Sequence, residues 1–99
     1  MQLTKAVPIF AALGDPVRLA IVARLCSDGP LRTITLKEQA SVSRQGVSKH
    51  LRLLEQSGLV RSARKGRDRV WRVETRRIAA ARAYLALMSA HETTHSRIA

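Results

Sequence analysis

With 99 residues, 45% of them hydrophobic and three aromatic, the chain has room for one domain and one modest aliphatic core. Lys and Arg outnumber Asp and Glu by 18 to seven, and residues 41–77 alone carry eleven basic and three acidic groups, which favours nucleic acid as partner. The single cysteine excludes an intrachain disulfide, and no segment approaches the ~20 apolar residues of a membrane span.

Two helices are predicted at the start of the chain. Apolar residues recur at helical spacing over the first, which ends at Gly14: Ala6, Val7, Phe10 and Leu13. Asp15-Pro16 has the pattern of an N-cap followed by proline at the first helical position, and Gly29-Pro30 ends the second helix. The apolar face of the second helix comprises Val17, Ile21 and Leu25, widened by Leu19, Val22 and Cys26. We therefore expect Cys26 to be a buried small residue, with pairing to Cys26 of a second copy as the alternative.

A short third helix and a longer fourth helix follow, separated by a break at Ser41-Val42-Ser43. The third begins near residue 33, capped either by Thr35, with Glu38 in a capping box, or by Thr33. Ser43 is the expected N-cap of the fourth helix, which is predicted over 44–57 and ends at the C′ residue Gly58.

The fourth helix has two chemically different faces. Val47, Leu51 and Leu54 form an inward stripe, and the opposite side carries Gln45, Ser48, Lys49 and Arg52. No acidic residue occurs in this helix before Glu55. The pattern indicates a helix that reads a DNA groove, with an ordinary solvated polar face as the alternative.

From Leu59 the periodicity changes to that of strands. Two strands are predicted over 59–64 and 69–74, joined by Lys65-Gly66-Arg67-Asp68, with Trp71 and Val73 on one face of the second. One acidic residue, Asp68, stands among six basic ones: Arg61, Arg64, Lys65, Arg67, Arg69 and Arg72. We expect Asp68 to pair with a neighbouring arginine. A last helix is predicted from Thr75, with an apolar stripe of Ile78, Ala81, Leu85 and Met88 flanked by Tyr84 and Leu87.

The predicted order is therefore α-α-α-α-β-β-α, a mostly α single domain over residues 1–99 with a small β-hairpin wing. This is the winged helix-turn-helix arrangement. In the reading helix, Arg44 and Arg52 suit guanine, Gln45 suits adenine, and Ser48 suits a base edge or a phosphate. Lys49, His50 and the helix N-terminus at Ser43 are placed for phosphates. The wing residues Arg64, Lys65, Arg67 and Arg69 suit a minor groove or flanking phosphates, and a charged hairpin that prevents aggregation is the alternative.

Three segments resemble motifs of one protein family, in the same order and at similar spacing. Residues 10–19 (Phe-Ala-Ala-Leu-Gly-Asp-Pro-Val-Arg-Leu) resemble the opening motif of the ArsR family of winged-helix repressors, and residues 43–51 (Ser-Arg-Gln-Gly-Val-Ser-Lys-His-Leu) resemble its recognition helix. Residues 53–60 and 66–71 continue the likeness, which covers roughly residues 5–90. The resemblance implies a homodimer, joined through its first and last helices, that represses its target until a signal releases it.

The residues of the last helix agree with a dimer. Its apolar stripe has no evident partner within so small a domain, so we expect residues 75–95 to be a dimerisation element. The resemblance implies the first helix as the other dimerisation element. Stacking of the last helix on its own hairpin is the alternative. The expected interface residues are Val7, Phe10, Ile78, Ala81, Tyr84, Leu85 and Met88.

The resemblance is to a branch of the family without recognised metal ligands. Cysteine-type members have a Cys-x-Cys-like cluster near the third helix, where residues 36–39 here read Leu-Lys-Glu-Gln, and Cys26 has no second thiol. His91 and His95 stand one helical turn apart and are weak metal candidates, since residues 80–84 (Ala-Ala-Arg-Ala-Tyr) lack an upstream partner; a frayed polar C-terminus is the alternative. The branch carries a Trp-Asp pair in a longer last helix, where Glu92-Thr93 stand here.

The sequence therefore predicts a cytoplasmic, sequence-specific DNA-binding regulator, a dimeric repressor on a palindromic operator, with no cofactor and no particular inducer indicated. A metal-responsive repressor using His91 and His95, or a winged helix that binds RNA or protein, is the alternative. The basic face lacks stacking aromatic residues, because Trp71 fits the core and Tyr84 lies on the last helix. The basic stretch also lacks the apolar face of a membrane-surface helix. No enzyme is expected, since nucleophile–base spacings, carboxylate pairs and phosphate-binding glycine loops are missing from the sequence.

Overall fold

The computed structural model describes residues 3–38 and 44–98, with the side chains of residues 4–38 and 46–89. The helices and strands follow one another as α1 (Leu3–Leu13), α2 (Pro16–Asp28), β1 (Leu31–Arg32), α3 (Thr33–Glu38), α4 (Arg44–Gln56), β2 (Val60–Lys65), β3 (Asp68–Val73) and α5 (Thr75–Ile98). This is the predicted winged helix-turn-helix order with one addition, the two-residue strand β1.

The corner between α1 and α2 forms as its sequence predicts. Asp15 has the extended backbone of an N-cap, and its carboxylate accepts hydrogen bonds from the backbone N–H groups of Val17 (2.9 Å) and Arg18 (3.0 Å). Pro16 occupies the first position of α2, where the missing N–H costs no hydrogen bond. At the other end Gly29, at φ +82°, donates its N–H to the carbonyl of Leu25 and ends the helix.

The three strands form an antiparallel sheet in the order β1-β3-β2. Strand β3 begins at Asp68, so the predicted four-residue loop is wrong, and the wing turn consists of Gly66 and Arg67 alone. Gly66 stands at the first turn position with φ +63°, as a type II′ hairpin turn requires. Strand β1 pairs with β3 through Leu31 opposite Trp71, and its two residues are too few to show an alternating pattern.

The core lies between the helices and the inner face of the sheet. Its fully buried side chains include the predicted inward stripe of α4: Ile9, Leu25, Val47, Leu51, Leu54, Leu59 and Val60. In α1 the buried face is centred on Ile9, and Val7 is 56% exposed, so the predicted apolar stripe of that helix is rotated away from the true core face.

Three expectations for the middle of the chain are wrong. Cys26 is exposed, because it follows the buried Leu25 and therefore lies about 100° around α2 from the core. Leu19 is exposed for a similar reason. Helix α3 begins at Thr33, which places Thr35 inside the helix, so the capping box of Thr35 with Glu38 does not form. The predicted cap Ser43 lies outside the described residues.

Helix α5 packs on the domain through its first half only. Ala81 is buried and Ile78 packs against the same core, so the expectation that the whole apolar stripe lacks a partner within the chain is wrong for these two residues. Further along, Tyr84 meets Phe10 of α1 edge-on, with ring centroids 6.1 Å apart, while Leu85 and Met88 are 51% and 55% exposed. The second half of the stripe is therefore unburied in the single chain.

No single helix among the described residues is long and apolar enough to cross a membrane. Helices α1 and α2 meet that criterion only when counted together, as a pair bent by 99°.

Candidate nucleic-acid interface

Helix α4 is held rigidly on its inner side and attached to the wing at its C-terminal end. Val47, Leu51 and Leu54 are inaccessible to solvent. Glu55, one residue beyond Leu54, accepts a hydrogen bond of 2.8 Å from the hydroxyl of Ser62 on β2, and Arg69 of β3 donates to the same hydroxyl at 3.1 Å. The wing therefore has a fixed attachment to the helix that the sequence identifies as the reading helix.

The outer side of α4 carries polar side chains, as predicted. Lys49 and Arg52 are exposed, and Ser48 is half-buried. Arg44 and Gln45 lie in the first turn of α4, with their side chains outside the described residues. The backbone nevertheless places Gln45, Lys49 and Arg52 at i, i+4 and i+7, which is one face of a helix.

His50 has a different position from the one expected of a phosphate ligand. Its Nδ1 lies 3.3 Å from Nη1 of Arg18 and 3.7 Å from the carboxylate of Asp15, so the ring packs against the start of α2. The carboxylate of Asp15 has a lowered pKa, first because the backbone N–H of Arg18 donates to it and also because of the positive charge of Arg18. His50 thus joins two helices, a role that its place in the sequence did not reveal.

The cations of the wing fall into two groups. Arg61 is paired with Glu74 at 2.6 Å, Arg69 bonds to Ser62, and Arg64 donates through Nε to the carbonyl of Gly66 at 3.3 Å. By contrast, within the part of the chain that the structure describes, three exposed cations of the hairpin have neither an ion pair nor a side-chain hydrogen bond: Lys65, Arg67 and Arg72. Two of these, Lys65 and Arg67, stand at the turn.

Asp68 anchors the base of the wing turn to α3. Its carboxylate accepts hydrogen bonds from the backbone N–H groups of Arg69 (2.7 Å) and Ile34 (3.4 Å), and Nε of Arg32 lies 3.3 Å away. The hydrogen bond from Arg69 is the first cause of its lowered pKa, ahead of the contacts with Thr33, Ile34 and Arg32. The prediction that Asp68 pairs with an arginine is confirmed, although the partner comes from β1 and not from the hairpin.

Two basic residues beside the wing were missed by sequence reasoning. Arg32 and Lys37, together with Arg67, surround a groove of about 340 Å³ between the wing turn and α3. Arg32 also borders a neighbouring groove of about 620 Å³ next to Lys65. Both missed residues belong to residues 1–40, whose balance of five basic and three acidic groups gave no sign of a basic surface. Only the fold brings them to the wing.

A second surface of opposite character lies between α1 and α5. It is an apolar groove of about 510 Å³ in which no described residue of the lining is charged, and five of the seven predicted dimer residues border it. The described lining is Ala6, Val7, Phe10, Ala11, Tyr84, Leu85 and Met88. Of the predicted interface residues, only Ile78 and Ala81 are absent from this lining, because they pack into the core.

The structure also bears on the metal candidates. Among the described residues no group of three or more His, Cys, Asp or Glu side chains is close enough to hold a metal ion. His91 and His95 fall within α5, but their side chains are outside the described residues. Cys26 is exposed on α2.

Comparison with known proteins places this geometry in a family. Residues 13–63, half of the chain, match the family described as Helix-turn-helix domain. The HTH-type transcriptional regulator YuzN of Bacillus subtilis is 45% identical over 63% of this chain and 74% of its own length. Among solved structures, the ArsR family transcriptional regulator RHA00566 superposes with a TM-score of 0.80 at 31% identity, covering 94% of this chain and 95% of that one. An ArsR-like transcriptional regulator from Rhodococcus sp. RHA1 gives a TM-score of 0.75 at 28% identity, covering 95% and 88%.

Proposed function

Because this chain belongs to the ArsR family of winged helix-turn-helix transcriptional regulators, we propose that it represses transcription as a homodimer bound to a two-fold symmetric DNA site. The observation that carries the proposal is the link from Glu55 of α4 through Ser62 to Arg69 of the wing. This link connects α4, which has a polar outer face, to a hairpin that carries unpaired cations. A helix and a hairpin joined in this way suit duplex DNA.

In this proposal α4 lies in the major groove and reads base edges. Gln45 bonds to adenine, Arg44 and Arg52 bond to guanine, and Ser48 contacts a base edge or a phosphate. Lys49 pairs with a backbone phosphate. The buried stripe of Val47, Leu51 and Leu54 supports this role, because a helix fixed by its inner face presents its outer residues in one register.

The wing and its neighbouring grooves supply contacts that do not depend on sequence. The unpaired Lys65 and Arg67 of the turn, flanked by Arg64 and Arg69, approach the minor groove or the phosphates beside it. Arg32 and Lys37 extend this surface on the α3 side, where the groove that they share with Arg67 suits a phosphate group. Asp68 also lines this groove, where it holds the turn in place by its bonds to Arg69 and Ile34 and pairs with Arg32.

The homodimer forms through the apolar groove between α1 and α5. Leu85 and Met88 are each more than half exposed in the single chain, and the described lining of the groove that they border contains no charged residue. Burial of such a surface against its own copy is favourable by roughly 25 cal/mol per Å² of apolar area. A two-fold dimer then places its two copies of α4 about 34–36 Å apart, one turn of DNA.

The experiment that tests the proposal begins with selection of duplexes from a random library by the purified protein. The enriched sequence, here called the selected duplex, is then inserted next to a promoter, and transcription is measured in vitro with increasing protein. Repression that depends on the selected duplex supports the proposal. Activation of transcription, or repression that is equal on a promoter with a scrambled insert, contradicts it.

A further inference from the structure

Arg18 connects three helices at the junction where α1, α2 and α4 meet. Its Nε donates a hydrogen bond of 2.7 Å to the carbonyl of Ala12 in the last turn of α1, and its Nη1 lies 3.3 Å from Nδ1 of His50 on α4. Its own backbone N–H donates to the Asp15 carboxylate that caps α2. A planar guanidinium has its donors in a fixed geometry, so the two side-chain bonds set the position of α4 relative to α1.

The contact with Arg18 also determines the protonation pattern of the His50 ring. A guanidinium has donors only, so Nδ1 of His50 must be the acceptor in this hydrogen bond. A neutral imidazole that accepts at Nδ1 carries its proton on Nε2. The ring is one-fifth exposed, and all its described contacts involve Nδ1, which leaves the other nitrogen as a donor.

We propose that Arg18 is a positioning residue for DNA recognition, which orients His50 and the reading helix against the dimerisation helix α1. The proposal rests on the proposed function, because it gives Arg18 a role in the same DNA-binding event. In this arrangement Phe10 and Ala11 of α1 border the dimer groove, and the next residue, Ala12, is the one that Arg18 holds. The register of α4 in one subunit is thereby tied to the helix that meets the second subunit.

The charged groups that face the His50 ring from the described elements are Asp15 and Arg18. Nδ1 lies nearer to the guanidinium of Arg18 (3.3 Å) than to the carboxylate of Asp15 (3.7 Å), so removal of this acceptor should release α4 from Arg18.

The test measures affinity for the selected duplex and for a random duplex of equal length, at fixed salt and at pH 8. The variants are Arg18→Ala, with Arg24→Ala as control, because Arg24 is on the same helix and pairs with Asp28 at the surface. Both variants lose one positive charge, so they share any non-specific loss of DNA affinity. His50→Asn keeps an acceptor near the position of Nδ1, whereas His50→Leu removes the acceptor. Thermal melting of each variant gives the folded fraction.

We expect Arg18→Ala to lower the affinity ratio of selected to random duplex by about tenfold at pH 8, the effect of roughly one lost hydrogen bond to a charged group. Arg24→Ala should leave the ratio unchanged. His50→Asn should keep the ratio, and His50→Leu should lower it as Arg18→Ala does. Equal ratios in Arg18→Ala and Arg24→Ala overturn the proposal, and if Arg18→Ala is unfolded, an unchanged ratio in His50→Leu overturns it instead. A wild-type ratio near one contradicts the proposed function itself.

Discussion

Trp71 on β3 donates its indole N–H to the hydroxyl of Thr33, the first residue of α3, across 2.8 Å. The same hydroxyl donates to the carbonyl of Arg69 at 3.3 Å, so both of its hydrogen-bonding functions are used between the wing and α3. One small side chain thus joins the wing to α3, the first helix of the helix-turn-helix, while Glu55 links the wing to α4.

Replacement of Thr33 by valine should therefore destabilise the domain. Valine keeps the shape of the threonine side chain, but the nearly buried indole N–H of Trp71 loses its acceptor. We expect this loss to lower the free energy of unfolding by about 1–3 kcal/mol. Urea denaturation measures the free energy of unfolding. Thr35→Val, two residues later in the same helix, is the control and should change it by less. Equal losses in the two variants would show that the Trp71 contact is unimportant.

The proposed base contacts of α4 differ from its proposed phosphate contacts in how strongly they depend on the DNA sequence. Gln45→Ala should relax the preference at one base pair by about 1–3 kcal/mol. Arg44→Ala should do the same at a different base pair. Lys49→Ala should weaken binding to all duplexes alike. Affinities for single-base variants of the selected duplex measure these effects, and a uniform loss in Gln45→Ala would remove that residue from base recognition.

If the groove between the wing and α3 contacts DNA phosphates, its cations should contribute to the salt dependence of DNA binding. Arg67→Ala and Lys37→Ala should each reduce the slope of log affinity against log salt by about one, because each cation releases one condensed counterion. The control is Arg82→Ala, which removes an exposed cation from α5. A slope for Lys37→Ala equal to that of the wild type would exclude α3 from the contact surface.

The dimer groove is tested by charge insertion at matched positions. Leu85→Glu places a carboxylate in the groove lining and should give a monomer that binds the selected duplex much more weakly. Leu87 is 71% exposed and does not border the groove, so Leu87→Glu should remain dimeric. Sedimentation equilibrium measures the mass of each variant. A dimeric Leu85→Glu protein would show that the subunits meet elsewhere.

Acid stability depends on the cap of α2. The pKa of Asp15 is lowered from its ordinary value of 3.8, chiefly by the backbone N–H of Arg18, so the ionised carboxylate stabilises the folded state above that value. This contribution is lost as the pH falls through the lowered pKa. The difference in unfolding free energy between wild type and Asp15→Asn should therefore shrink below pH ~4. A difference that stays constant down to pH 2 would contradict this account of the cap.

The sequence predicted those parts of the fold that depend on local pattern. The spacing of Val47, Leu51 and Leu54 gave the buried face of α4, and Asp15-Pro16 gave the start of α2. It failed where burial depends on the direction in which a short helix faces its neighbours. Cys26 has the same apolar character as Leu25, and only the packing of α2 decides which of the two is buried.

The candidate site was predictable only in part, for a related reason. The sequence shows that a residue is basic but not which residue it pairs with. Arg61, which is paired with Glu74, therefore could not be distinguished from the unpaired Arg67. Contacts between distant segments, such as Arg32 with Asp68 or Arg18 with His50, leave no periodic signal. Tertiary geometry was needed to separate the cations that stabilise the wing from those that remain available to DNA.

The most direct test of a dimeric, sequence-specific DNA-binding protein is a titration of the selected duplex and of a random duplex at ~150 mM salt, with the stoichiometry of each complex measured by light scattering. We predict two chains per selected duplex, a sequence with two related half-sites one turn apart, and binding about a thousandfold tighter than to random DNA. Equal, weak and salt-sensitive binding to both duplexes, or one chain per selected duplex, would contradict the account.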